Sequence, residues 1–168
     1  MNYIQQLLEE HSRSNTDAIA KAIGNNAVEF KKIIDIIYKE KAPLPQRASW
    51  LLPTINEKHR ELLVPYLPLF ISTITKFEID GIRRNMVVVL ASNKIPKNLQ
   101  GKLVNLCFDL ILSKKETVAV KVHALQVVAN IAEQHPELKA ELKAAIEDQL
   151  PKTSAAFHAR AKRILKGL

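Results

Sequence analysis

Cysteine is nearly missing from this sequence: Cys107 is the only one in 168 residues. An intramolecular disulfide is therefore excluded, and a reducing compartment is the simpler setting. Glycine occurs four times and never in a Gly-rich run, which argues against a phosphate-cradling loop. Aromatic residues are 5% of the chain against 47% apolar residues overall, so aliphatic side chains must supply most of the core. No apolar run approaches the roughly 20 residues that cross a bilayer, and no transmembrane segment is expected. The opening MNYIQQLLEEHSRSN lacks the basic, apolar, small-residue order of a secretory signal. A cytoplasmic protein is the expectation.

Chemistry-bearing clusters are also sparse. The five histidines (His11, His59, His123, His135, His158) are scattered and form neither HExxH nor a tight His/Cys metal pattern. The carboxylates Glu9, Glu10, Glu57, Glu61, Glu78 and Asp80 can all be explained as caps, turns or surface charge, and none makes a recognisable general acid/base pair. Cys107 sits between Leu106 and Phe108 on the Leu103/Leu110 side of a helical stretch, where it reads as a small core side chain. No catalytic residue, metal site or cofactor is expected.

What is present is positive charge, unevenly placed. The formal net charge is +8. Residues 81–108 hold five basic residues, Arg83, Arg84, Lys94, Lys97 and Lys102, with no acid. Residues 152–168 hold five more, Lys152, Arg160, Lys162, Arg163 and Lys166, again with no acid. Such blocks can steer an anionic partner, and they can equally be a solvated surface.

Helical periodicity runs almost throughout. Tyr3, Ile4, Leu7 and Leu8 make a first short stripe, and Asn15 or Thr16 is placed to cap a second helix that ends at Gly24 and Asn25. A third starts at Ala27 and stops before Pro43; residues 45–58 make a fourth that Pro53 should bend. Further helices are expected from about Glu61 to Ile74, over 80–92, 99–112, 117–134, 137–149 and 154–166. IRRNMVVVLASN at 82–93 has strand-favouring valines. Nothing else in the chain offers a partner strand, however, and a lone strand is unstable. Ile82, Met86, Val89 and Leu90 fit one helical face, so the helix reading prevails.

The later helix of each pair carries a longer period. Arg47, Arg83, Lys121 and His158 are spaced 36, 38 and 37 residues apart. Each is followed three places on by an apolar residue, Trp50, Met86, Ala124 and Ala161 in turn. Seven places on stand Thr54, Leu90, Val128 and Leu165. A helix pair cannot hide its apolar face alone, whereas stacked pairs form a continuous core. The +3 and +7 positions are the candidate stacking face.

On these residues, and most clearly on 63–92 and 103–132, the chain resembles the HEAT-repeat family of the armadillo-like class. The resemblance implies an all-α fold. It would be a short right-handed α-α superhelix of about four helix pairs over 26–168, continuous with a small N-terminal helical cap at 1–25. It also implies that Arg83, and by position Arg47 and Lys121, meet acidic residues such as Glu78 or Asp80 between paired helices. Trp50, Met86, Ala124 and Ala161 are then scaffold positions. Arg84, about 100° around the helix from Arg83, is left for an outward role.

The function this implies is a non-catalytic adaptor or scaffold whose partner is another protein. Contacts are expected from Arg84, Lys94, Lys97 and Lys102, with Arg160 and Arg163 as further candidates. The alternative is nucleic-acid binding through phosphate contacts of the two basic blocks. Architecture and charge are also similar to helical-repeat DNA-binding and alkylated-base repair proteins. No tryptophan–aspartate set for base excision is recognisable, and Trp50 is the only tryptophan. Oligomeric state is left open.

Overall fold

A computed structural model describes residues 1–168, which fold entirely into helices and helical turns, with no strand. The residues divide into two compact units, Met1–Val89 and Leu90–Leu168, with the division inside one helix.

The first unit contains α1 (Tyr3–Glu9), α2 (Arg13–Ile23), α3 (Ala27–Lys39), α4 (Leu44–Ser49), α5 (Leu51–Lys58), α6 (Leu67–Thr73) and most of α7 (Asp80–Ser92). α3 and α1 pack on α4, while α2 packs on α5. Phe30, Ile33, Leu51, Leu52, Leu63, Leu67 and Phe70 are all 1% exposed or less. Burying each such side chain contributes about 1.5–3 kcal/mol.

Local chemistry sets the boundaries. Ser12, rather than Asn15 or Thr16, caps α2, its Oγ accepting the Asn15 amide at 3.0 Å. Asn15 instead turns back, donating Nδ2 to the carbonyls of Gln6 and Glu10 at the end of α1. Gly24 closes α2 at φ 53°, a region that glycine enters without Cβ strain. The expected helix from Glu61 is delayed: Arg60–Leu62 and Val64–Tyr66 form 3-10 turns, and α6 starts only at Leu67. Pro65 and Pro68 lack amide hydrogens and are tolerated only where a helical segment begins.

Pro53 does more than bend its helix. α4 ends at Ser49 and α5 begins at Leu51, so the break falls at Trp50. A proline cannot donate to the carbonyl four residues earlier, and its ring crowds that carbonyl. Here that carbonyl belongs to Ser49.

The second unit is built around α9 (Val118–Ala132), which packs against α8 (Lys97–Leu112), α10 (Leu138–Gln149) and α11 (Ala155–Gly167). α9 accordingly buries residues from more than one face, among them Val120, Ala124, Leu125, Val128 and Ala132. Cys107 on α8 is fully buried, and burial pushes its thiol pKa far above the ordinary value.

The 36–38 residue period has a common physical use. Arg47 donates Nη1 to the carbonyls of Leu7 and Leu8, at 2.7 and 3.1 Å, at the C-terminal end of α1. Arg83 donates Nη1 to the carbonyls of Phe77 and Glu78, at 2.7 and 2.9 Å, in the segment leading into its own helix. His158 Nε2 meets the Leu150 carbonyl at 2.6 Å, just past α10. Lys121, only 6% exposed, donates to Gln149 Oε1 at 2.7 Å. Burial is the main cause of its lowered pKa. Three of the four positions thus hold backbone carbonyls at or beyond a helical end. The Leu7, Leu8 and Leu150 carbonyls lie at helix C-termini, where the last carbonyls lack intrahelical donors and carry the negative end of the helix dipole; those of Phe77 and Glu78 lie in the connection ahead of α7. At Glu78 the atom that receives Arg83 in these bonds is the main-chain oxygen.

Candidate functional site

The stacking positions are not equivalent. Met86, Ala124 and Ala161 are 0% exposed, but Trp50, at the same repeat position, is only half-buried. Its +7 companion Thr54 is half-buried too. Both line a cleft of about 290 Å³ in the first unit with Arg13, Thr16, Pro53, Arg84, Asn85 and Val88. The tryptophan expected in the core is therefore a cleft wall. The helix break imposed by Pro53 falls at this residue, and the His11 ring lies against the indole with centroids 4.2 Å apart.

Arg84 enters this cleft half-buried rather than freely exposed. Its Nη2 donates to Asn85 Oδ1 at 3.3 Å. Asn85, 3% exposed, donates Nδ2 to Ser49 Oγ at 3.0 Å, and Ser49 donates in turn to the Gln46 carbonyl at 2.7 Å. The direction of this chain is fixed by its far end, because a carbonyl can only accept. The serine oxygen is thereby left to accept from the Asn85 amide nitrogen, and the Asn85 oxygen faces the guanidinium. On the same cleft, Arg13 is held through Nε by both oxygens of Asp17 at 3.0 Å.

The other candidate cations lie in the second unit and do not share one cleft. Lys94 and Lys102 are exposed. Lys97, at the start of α8, lines a cleft of about 460 Å³ that also contains Gln100, Asn105, His135 and Glu137. There His135 Nε2 contacts Gln100 Oε1 at 2.8 Å, and Gln100 donates Nε2 to the Ile95 carbonyl. Arg160 is half-buried and donates to Gln126 Oε1 at 3.0 Å, tying α11 to α9. Burial first, and then the charge of Arg163, lower its pKa. Arg163 lines a separate cleft with Gln126, Glu133 and Lys139. Lys162 and Lys166 flank His158 in yet another. Lys152 pairs with Asp148 at 2.7 Å.

Arg84 and Trp50 stand out in the sequence as separate features, and nothing there joins them; Arg13, Asn85 and Ser49 carry no sequence signal of the cleft. Arg13 and Asp17, four residues apart, look like an ordinary surface helix pair. Only Thr54, next to Pro53, breaks the otherwise apolar +3/+7 pattern, and it falls in the repeat that is open.

No helix is long and apolar enough to cross a membrane, and no group of three or more His, Cys, Asp or Glu side chains is placed to hold a metal ion. No curated protein and no solved structure matches the chain. A family model described as a HEAT repeat domain does match, over residues 3–168. With the helix pairs, the repeated cation positions and the buried stacking residues, it places this chain in the HEAT-repeat family.

Proposed function

We propose that this chain is a non-catalytic adaptor or scaffold that binds another protein through side chains left exposed on its helical repeats. The observation that carries this reading is the cleft of Arg13, Trp50 and Arg84, where the aromatic of the first repeat stands beside cations from α2 and α7. The corresponding positions of Met86, Ala124 and Ala161 are sealed. Partly exposed Trp and Arg side chains are the residue types most often found at energetic centres of protein interfaces. The mechanism is binding alone: shape and an apolar wall supply affinity, and the fixed guanidinium supplies orientation and selectivity.

Tracking a nucleic-acid backbone calls for several cations along one path. In the second unit, Lys97, Arg163 and the Lys162/Lys166 pair line three different clefts, while Arg160 and Lys152 are engaged by Gln126 and Asp148. This favours a protein partner. The test is affinity capture from the native cell, comparing wild type with an Arg84→Glu/Lys97→Glu variant. It is run beside titration with duplex and single-stranded nucleic acid over a range of salt. Recovery of a defined protein by wild type, lost in the variant, is expected. Failure to recover any protein, together with nucleic-acid affinity that falls linearly with log salt, would overturn the reading.

A further inference from the structure

We infer that the cleft bounded by Arg13, Trp50 and Arg84 is a receptor for a single carboxylate side chain carried on an acidic segment of a partner protein. This rests on the scaffold reading above and narrows it to one site and one ligand chemistry.

Three features select that ligand. The first is preorganisation. Arg84 is positioned by the buried Asn85–Ser49–Gln46 chain, and its hydrogen bond goes to a neutral amide. The charge is thus oriented without being neutralised by that partner, and a guanidinium retains further donors in the fork geometry that matches a carboxylate. Its half-buried position also strengthens any charge-assisted bond relative to open water.

The second is shape. At about 290 Å³ the cleft falls at the bottom of the range of roughly 300–1,000 Å³ typical of small-molecule sites. It suits one side chain rather than a cofactor. Trp50, Pro53 and Val88 give it apolar walls along which the methylenes of a glutamate can lie.

The third is the amount of charge. Arg13 is already paired with Asp17, and Glu57 is near enough to act on Arg13 electrostatically. Arg84 therefore supplies the main uncompensated positive charge among the cleft-lining residues. That matches a singly charged carboxylate better than a polyanionic strand.

Trp50 is the only tryptophan, so its emission reports on this cleft alone. The whole chain is titrated with an end-blocked glutamate–glycine peptide that lacks aromatic residues, with the matching glutamine–glycine peptide, and with oligothymidylate. The glutamate peptide is expected to change Trp50 emission saturably. Arg84→Gln should weaken it at least about tenfold, equivalent to about 1.4 kcal/mol, with the far-UV circular dichroism unchanged. Arg84→Lys should recover only part of the affinity, because lysine keeps the charge without the fork. Asp17→Asn, a substitution on the exposed surface, should tighten binding by freeing Arg13. Lys162→Gln, outside the cleft, should have no effect.

The inference is overturned by a silent Trp50 up to millimolar peptide, or by an equal response to the glutamine peptide. It is also overturned if neither Arg84→Gln nor Asp17→Asn alters the affinity, or if oligothymidylate binds more tightly at the same salt. A silent cleft with partner capture that survives Arg84→Glu removes this site and leaves the scaffold standing. A silent cleft with no captured protein removes both.

Discussion

Replacing Arg47 by alanine tests whether the repeat cations hold the fold by gripping carbonyls. Arg47 makes two bonds to the end of α1: one to the Leu7 carbonyl at 2.7 Å, partly shielded, and one to the Leu8 carbonyl at 3.1 Å, exposed. A shielded hydrogen bond from a charged donor contributes about 1.5–3 kcal/mol. The exposed one adds only a few tenths, as surface interactions of charged groups generally do. The expected loss is about 2 kcal/mol. With a urea m-value of about 2 kcal/mol/M, the midpoint of the first unit should fall by about 1 M. Trp50 lies in this unit, so its fluorescence follows the transition. Arg47→Lys should lose about half as much, since lysine offers a point charge in place of a planar fork. Hydrogen exchange should localise the effect. The α1 amides would lose protection by about thirtyfold, the factor that about 2 kcal/mol represents, while those of α9 stay protected. A midpoint shift below about 0.25 M, or protection lost evenly along the chain, would refute the reasoning.

Three further outcomes follow from burial. Ala124 is fully buried at a stacking position of α9, so Ala124→Leu should overpack the second unit and cost about 1–3 kcal/mol. An unchanged denaturation midpoint would show that this position has room. Cys107 should resist an aromatic disulfide reagent in the native protein and react fully in urea, because burial removes access and raises its thiol pKa; rapid native labelling would contradict this. Tyr3 donates its hydroxyl to Glu29 Oε2 at 2.7 Å, and burial, followed by that bond, pushes its pKa up to about 12. An unfolded tyrosine titrates near 10. Between those values the folded state keeps a proton that the unfolded state has lost, so this contribution to stability is complete below about pH 10 and declines toward about pH 12. Tyr3→Phe should flatten the alkaline fall in the first unit's denaturation midpoint; an equally steep fall would assign the effect elsewhere.

Much of the scaffold was legible because it repeats. Arg47, Arg83, Lys121 and His158 recur with a regular period, and each makes a polar contact reaching a helical end or its flank. What the period could not reveal was the receiving atom. A main-chain carbonyl has no letter of its own, so the bonds from Arg83 to the oxygens of residues 77 and 78 leave no trace in the sequence. The stop at Lys39 and the glycine end of α2 were equally readable, because proline and glycine act through local sterics. Two closely spaced prolines, Pro65 and Pro68, were harder to read: periodicity favoured one helix, while the missing amides imposed two 3-10 turns before α6.

By itself, then, the sequence determined the helical class, the repeat spacing and the buried identities of Met86, Ala124 and Ala161, since side-chain periodicity follows directly from 3.6 residues per turn. The tertiary structure alone decided that Trp50 faces a cleft, that Arg13 and Arg84 line that same cleft, and that Asn85 and Ser49 link the guanidinium to a buried hydrogen-bond chain. These residues come from α2, α7, the end of α4 and the junction that follows it. Their meeting depends on how those helices pack and on the break ahead of Pro53, which no local pattern records.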